Sequence, residues 1–351
     1  MQPAIVERTG YSPPVVEYAL DRLFESITPD AIANVIAREW GGREREPAGR
    51  VVILSSRTTV GVAIVPAIFA ICAGCDVTVK DREDALVGAF FETLAHELHE
   101  ATDDDGQRAF RAETWQAGEH NLSRYDAVVV FGNDETLTAV RAQIRPNARF
   151  IGYGSKASIG YVAREALTNE VGAQAVAAGA ARDFILYDGE GCLSLHALFV
   201  ERGGAVGVER FMEMLAQAAR RAAIEFPLGL RDARRARQAA AARDLAAFAG
   251  RTVYFDPQAA FVIESGDAQR PPAFAPRVLD VHAVDSPREM LEYVRRHTLP
   301  IELCAVAGER VDVADAPRAA GANGITAFGE MQNPPLSYRH GGRPRFADFV
   351  K

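Results

Sequence analysis

Cysteine is scarce: four in 351 residues, at positions 72, 75, 192 and 304. So few cannot cross-link a chain of this length into a disulfide framework, and a reducing cytoplasm is the expected setting. Positive charge is also short. Lys and Arg total 39 against 47 Asp and Glu, a formal net charge of −8, which argues against a general nucleic-acid or anionic-membrane binder. No apolar run reaches the ~18 residues that suggest a bilayer span; the longest, residues 60–75, is interrupted by Gly61, Pro66 and Gly74. The opening MQPAIVERTGYSPP carries no basic segment followed by an apolar one, so no secretory signal is expected. Cys72 and Cys75 form a C-x-x-C at an apolar helix end, without a second Cys or His pair at metal spacing. They read as core packing, as does Cys304, and no metal is expected. A G-x-G-x-x-G fingerprint, internal repeats and low-complexity segments are likewise missing.

What is present is an ordinary globular balance, 48% apolar and 25% charged residues, in a chain long enough for two domains. Residues 51–55 and 76–80 read as strands flanking a buried helix over 60–73 that ends at Gly74, the pattern of a parallel βαβ crossover. An amphipathic helix over 85–100, a turn at 103–106, and strands at 126–132 and 149–154 continue the alternation. A second series follows: a helix over 171–182, short strands at 184–187 and 197–201, helices over 207–225 and 231–248, strands at 251–255, 260–264 and 277–284, a helix over 286–296 and a strand at 301–306. The expected division is a cofactor-binding domain over 1–170, a catalytic domain over 171–323, and a tail over 324–351 packing across the two.

Cys192 is the candidate nucleophile. It sits in Gly189-Glu190-Gly191-Cys192-Leu193-Ser194, where glycines permit close approach of a substrate. A cysteine nucleophile needs access, a lowered pKa and amides near the oxyanion; a buried structural cysteine in a turn is the alternative. His196 lies four residues on and is a candidate proton donor. In an extended strand those side chains share a face but stand ~13 Å apart, so a direct role requires a bent backbone. At the first unit's strand ends, Gly132 and Asn133 mark a strand-to-helix corner of the kind that binds phosphate, although Asp134 and Glu135 would repel an anion unless turned away. Lys80 ends a strand and is suited to ribose hydroxyls; Glu83 would favour NADH and Arg82 NADPH.

Several of these segments together resemble one family. Asp183 to His196 (DFILYDGEGCLSLH) resembles the nucleophile segment of bacterial acyl-CoA reductases, the LuxC-type fatty-acyl reductases of luminescence systems, a branch of the aldehyde dehydrogenase superfamily. Phe328-Gly-Glu-Met-Gln-Asn-Pro-Pro-Leu-Ser337 with His340-Gly-Gly-Arg343-Pro resembles the C-terminal signature, and Tyr153-Gly-Ser-Lys-Ala-Ser158-Ile-Gly160 the middle glycine–serine segment, so that Gly154 and Ser155 join the cofactor candidates. The resemblance implies an α/β, aldehyde dehydrogenase-like fold: a Rossmann-like cofactor domain plus an α/β catalytic domain. It implies NADPH, with NADH possible, as cofactor; a fatty acyl-CoA or acyl-carrier thioester as substrate; a Cys192 thioester intermediate with the Cys192 amide aiding the oxyanion; and a homo-oligomer or an acyl-transferring partner subunit. Three departures stand out. Residues 55–59 (SSRTT) replace a loop that usually bears an oxyanion-supporting asparagine, leaving Arg57 or a hydroxyl there. Ser155-Lys156 stands where histidine is common, and the region before residue 50 is short. The base glutamate of hydrolytic relatives is also missing around Gly152-Tyr153, which suits a reductase. A non-catalytic acyl- or partner-binding paralogue and an acyl-phosphate reductase are the competing readings.

Overall fold

The computed structural model describes residues 2–56, 60–80, 86–101, 110–115, 119–230 and 233–351. Three helices, α1 (Gln2–Thr9), α2 (Pro13–Ser26) and α3 (Pro29–Trp40), precede the first strand. Then follow β1 (Arg50–Leu54), α4 (Ile64–Ala73), β2 (Asp76–Lys80), α5 (Leu86–Ala101), β3 (Phe110–Glu113), β4 (Ala127–Phe131), α6 (Asp134–Arg141) and β5 (Arg149–Tyr153). These strands form a wholly parallel sheet in the order β3-β2-β1-β4-β5. Its central strands are continuous buried runs of Val and Ile, as a sheet covered on both faces demands. Strand order reverses between β1 and β4, and the carboxyl ends there flank a topological switch point. Gly74 adopts φ 89° to end α4, its N–H donating to the Ala70 and Ile71 carbonyls.

The chain continues through β6 (Ala157–Val162), α7 (Glu170–Ile185), β7 (Leu195–Glu201), α8 (Val208–Glu225), α9 (Ala233–Phe248), β8 (Val253–Asp256), β9 (Phe261–Ser265), β10 (Val278–Val284), α10 (Pro287–Arg296), β11 (Ile301–Ala307), α11 (Val311–Ala319) and β12 (Gly324–Thr326). A second sheet runs β12-β11-β6-β7-β10-β9-β8, with only the β8–β9 pair antiparallel. Its core gathers Ile159, Tyr161, Phe199, Met290, Tyr293 and Ile301 among others. Two irregularities matter below. Between β6 and β7 the register passes from Ser158↔Leu195 to Ile159↔Ala197, leaving His196 as an extra residue. Between β6 and β11 it passes from Ala157↔Ile301 to Ile159↔Cys304, with one extra residue on β11 opposite Ser158. Both are β-bulges, which re-aim side chains.

Two compact units result: Met1–Thr9, Val16–Ser155 and Pro335–Lys351 form the first, Gly10–Val15 and Lys156–Pro334 the second. The boundary expected at residue 170 falls at 155/156, because β6 hydrogen-bonds between β11 and β7 in the second sheet. The expected tail is divided: Gly324–Thr326 becomes an edge strand of the second sheet, and Pro335–Lys351 belongs to the first unit. There the Glu39 carboxylate accepts from the backbone N–H groups of Arg345, Phe346 and Ala347, and Arg149 Nη1 donates to the Asp348 and Val350 carbonyls. The strand expected at 184–187 is instead the last turn of α7 running into a 3-10 turn over Leu186–Gly189. The turn expected at 103–106 lies outside the described residues. Among the described residues no helix is long and apolar enough to cross a membrane.

Candidate active site

The segment carrying Cys192 leaves α7 through strained backbone. Tyr187 and Asp188 are left-handed, at φ 55° and 53°, and Gly189 follows at φ 69°. Such conformations persist only where surroundings enforce them. Here the clamp is Arg277, whose side chain is fully buried. Its Nε donates to Asp188 Oδ1 at 2.9 Å, its Nη2 to the Phe226 carbonyl at 2.8 Å and its Nη1 to the Ala259 carbonyl at 3.0 Å. The Gly229 N–H donates to the other Asp188 oxygen at 3.2 Å. Beyond this clamp the chain turns: Ser194 N–H donates to the Gly191 carbonyl at 2.9 Å, and Gly191 N–H to Ser194 Oγ at 3.1 Å. Gln332 Nε2 donates to the same hydroxyl at 3.1 Å. Cys192 rides on this turn, half-buried.

Ser158 ties the turn to both bulges. Its hydroxyl donates to the Cys192 carbonyl at 2.7 Å and accepts from Leu303 N–H at 3.2 Å, while its own N–H donates to His196 Nδ1 at 3.3 Å. The backbone between Cys192 and His196 is therefore bent, and both residues attach to one serine. Because Nδ1 accepts, the network assigns the ring proton of neutral His196 to Nε2. The ring packs 5.2 Å from that of Phe274, itself left-handed at φ 45°. Burial depresses the imidazole pKa to about 4, against a smaller opposing effect from the Ser158 backbone. His196 is a neutral hydrogen-bond donor at physiological pH, not an imidazolium.

Cys192 corrects an expectation. A lowered thiol pKa was expected; the structure pushes it up to about 12. Burial is the main cause and the Glu302 carboxylate the second. The N–H groups of Cys192 and Leu193, with Lys156, pull the other way without winning. The two amides do face the sulfur, an arrangement suited to a developing oxyanion nearby. Cys304 is fully buried and Cys75 nearly so, its Sγ donating to the Phe349 carbonyl at 3.3 Å. None of the four cysteines is in a disulfide.

The remaining candidates lie in the first unit, at the carboxyl ends of its strands. Lys80 ends β2 with Nζ 5.4 Å over the Trp115 ring, and its carbonyl accepts from Ser55 Oγ at 3.3 Å. Trp115 stacks on His120 at 4.1 Å, and Lys80 stands in register with Glu113 of β3. At the β4–α6 corner, Asn133 Oδ1 caps the helix, accepting from Thr136 N–H at 2.9 Å and Thr136 Oγ1 at 2.7 Å. Asp134 Oδ1 accepts from Ser155 N–H at 3.3 Å. Two acids thus occupy the first turn of α6, one engaged with the Ser155 amide. A Cβ on Gly132 would lie 2.9 Å from Thr136 and one on Gly154 2.7 Å from Asp134 Oδ1, so both glycines are explained by packing at the corner. Arg82, Glu83 and Arg57 lie outside the described residues.

The sequence model of the acyl-CoA reductase (LuxC) family matches residues 110–351, including Cys192, Ser158 and Gln332. The chain belongs to this family. Its fold is that of the aldehyde dehydrogenases. Glyceraldehyde-3-phosphate dehydrogenase from Methanocaldococcus jannaschii, solved with NADP, superposes with a TM-score of 0.74 at 12% identity, over 100% of this chain and 83% of that one. Aldehyde dehydrogenase 21 from Physcomitrella patens, solved with succinate, also gives 0.74 at 12% identity, over 100% and 80%. The P. syringae indole-3-acetaldehyde dehydrogenase, solved with NAD+ and indole-3-acetic acid, gives 0.66 at 18% identity, over 88% and 68%. No sequence match is found among the curated proteins.

Within this acyl-CoA reductase fold, the sequence reading overlooks four residues around the candidate nucleophile. Ser158 and Gln332 lay inside the quoted family segments without a role. Asp183, also there, is buried, and its carboxylate accepts from Gly329 N–H at 2.7 Å and Met331 N–H at 3.2 Å. Burial outweighs those bonds and lifts its pKa to about 7. The segment so held passes Gly160 and Gly179 closely: a Cβ on Gly179 would lie 2.7 Å from the Phe328 carbonyl. The fourth is Glu302 on β11, whose side chain is fully buried and accepts at Oε2 from Asn323 Nδ2 at 2.9 Å. Its signal was available: an acid inside the apolar run IELCAVA.

Proposed function

We propose that this protein reduces an acyl thioester, a fatty acyl-CoA or an acyl-carrier thioester, to the aldehyde through a thioester on Cys192. The observation that carries the reading is Cys192 itself, half-buried on a hydrogen-bonded turn with two amides facing its sulfur, in a chain of the acyl-CoA reductase family. Cys192 Sγ attacks the carbonyl carbon and the bond to the carrier sulfur breaks, releasing the carrier thiol. The amides of Cys192 and Leu193 and Nε2–H of neutral His196 are suited to hold the oxyanion. Ser158 keeps the Cys192 peptide and the His196 ring in fixed relation throughout.

A nicotinamide cofactor, when bound, supplies the hydride that takes the Cys192 thioester to the aldehyde level. The first unit fits one by its topology: a parallel sheet whose order reverses between β1 and β4, with Lys80 and Trp115 at the neighbouring strand ends offering an ammonium and an aromatic face. We favour NADPH over NADH on Arg82, the candidate partner of a 2′-phosphate. A homo-oligomer or an acyl-donating partner subunit fits the same reading.

Incubation with acyl-CoAs of graded chain length, without reduced cofactor, should give a burst of about one free thiol per active site. Cys192→Ala should abolish it, and mass spectrometry should locate the acyl adduct on Cys192. No burst at any chain length would sink the reading; phosphate release from an acyl phosphate would redirect it.

A further inference from the structure

The proposed acylation needs a proton acceptor, and the obvious one is excluded. Cys192 rests as a thiol. His196 already accepts at Nδ1 and carries its ring proton on Nε2. Lys156 is a cation. Among the described residues acting on the sulfur, the carboxylate is that of Glu302. We propose that Glu302 is the proton acceptor for Cys192 and afterwards the donor to the leaving thiolate, with Lys156 and Asn323 holding its carboxylate in place.

The β11 bulge is the first support. The extra residue opposite Ser158 falls at Glu302–Leu303, and Ser158 Oγ joins Leu303 N–H directly to the Cys192 carbonyl. The backbone amide that follows the acid and the carbonyl of Cys192 thus meet on one hydroxyl. Second, the Glu302 side chain has no exposure to solvent, and burying a carboxylate is costly without compensation. Compensation is built from two sides: Asn323 Nδ2 donates at 2.9 Å and Lys156 Nζ stands 3.9 Å away. Asn323 is itself fixed, its N–H donating to the Glu302 carbonyl at 3.0 Å. Third, the carboxylate and the ammonium both act on the thiol, with opposite sign. A carboxylate that raises a thiol's pKa opposes a standing thiolate but is well suited to receive its proton during attack.

The step balances. The Sγ–H proton passes to the Glu302 carboxylate as Sγ bonds to the acyl carbon. The carrier C–S bond breaks with its electron pair on the carrier sulfur. The Glu302 carboxylic acid then protonates that thiolate, restoring the carboxylate and releasing the carrier thiol.

This inference rests on the acyl-thioester reading, and one experiment separates the two. The rate of thiol release is measured without reduced cofactor for wild type and Glu302→Gln, using an acyl-CoA that the wild type consumes. Iodoacetamide alkylation of Cys192 is followed against pH in parallel. Loss of the acceptor should slow release by about 10²–10⁴-fold, while the alkylation profile moves to lower pH because a negative neighbour is gone. Slow release with that opposite shift is what a merely structural role would not give. Wild-type release rates in Glu302→Gln would overturn the inference and leave the acyl-thioester reading standing; no burst from the wild type would overturn both. If Glu302→Gln loses its thermal transition, Glu302→Asp keeps the charge and shortens the reach. Release slowed with an unmoved alkylation profile then supports the inference, and unchanged release overturns it.

Discussion

A thiol with a pKa near 12 is a poor nucleophile at rest and a protected one: it resists adventitious alkylation and oxidation until substrate arrives. Iodoacetamide inactivation of the free protein should therefore keep accelerating through pH 10; a plateau near pH 7 would contradict the burial and Glu302 effects described here. Asp183 gives a second pH signature. It titrates at about 7 when folded, against an ordinary value of 3.8, so the folded chain binds the extra proton between those values. Its contribution to stability is fully present below about pH 4 and is lost as pH rises toward 7. Relative to Asp183→Asn, the wild type should lose melting temperature across that window, and parallel curves would refute the assignment. Cys192 was legible at this scale because glycines around a cysteine mark a special turn. Its pKa was not, because the carboxylate that shapes it arrives from a distant strand.

At the scale of elements, the site is made where three neighbouring strands fall out of step. Two bulges at the level of Ser158 present His196 and Glu302; the Ser158 hydroxyl joins the Leu303 amide to the Cys192 turn, and the Ser158 N–H holds the His196 ring. Ser158→Ala leaves the Leu303 amide and the Cys192 carbonyl without that partner. It should cost about 1–3 kcal/mol in urea unfolding and slow thiol release; unchanged release would remove Ser158 from the positioning scheme. Runs such as 126–132 announced their strands plainly. The 184–187 segment did not, since FILY suits a strand equally well and the choice was made by the clamp of Arg277 on Asp188. A bulge shifts pairing by a single residue without a marker in composition, and so the relation of Cys192 to His196 could not be read from spacing.

For the molecule as a whole, alternation of strand and helix was enough to announce two α/β units. The boundary between them was not, because only three residues, Gly154 to Lys156, separate β5 from β6, and no linker composition marks the change of sheet. The first unit should bind NADPH more tightly than NADH, with the preference lost in Arg82→Ala by titration of cofactor fluorescence; tighter NADH binding unaffected by that change would refute it. Gly179 shows how far the support of the Cys192 turn extends. A designer seeking thermostability would replace a mid-helix glycine with alanine, expecting about 1 kcal/mol from helix propensity. Here the added methyl would strike the Phe328 backbone, displace the stretch ending in Gln332 and slacken the turn under the sulfur. Gly179→Ala should therefore yield a more rigid helix in a slower enzyme, so that evolving this scaffold for heat resistance means leaving its weakest helical residue alone.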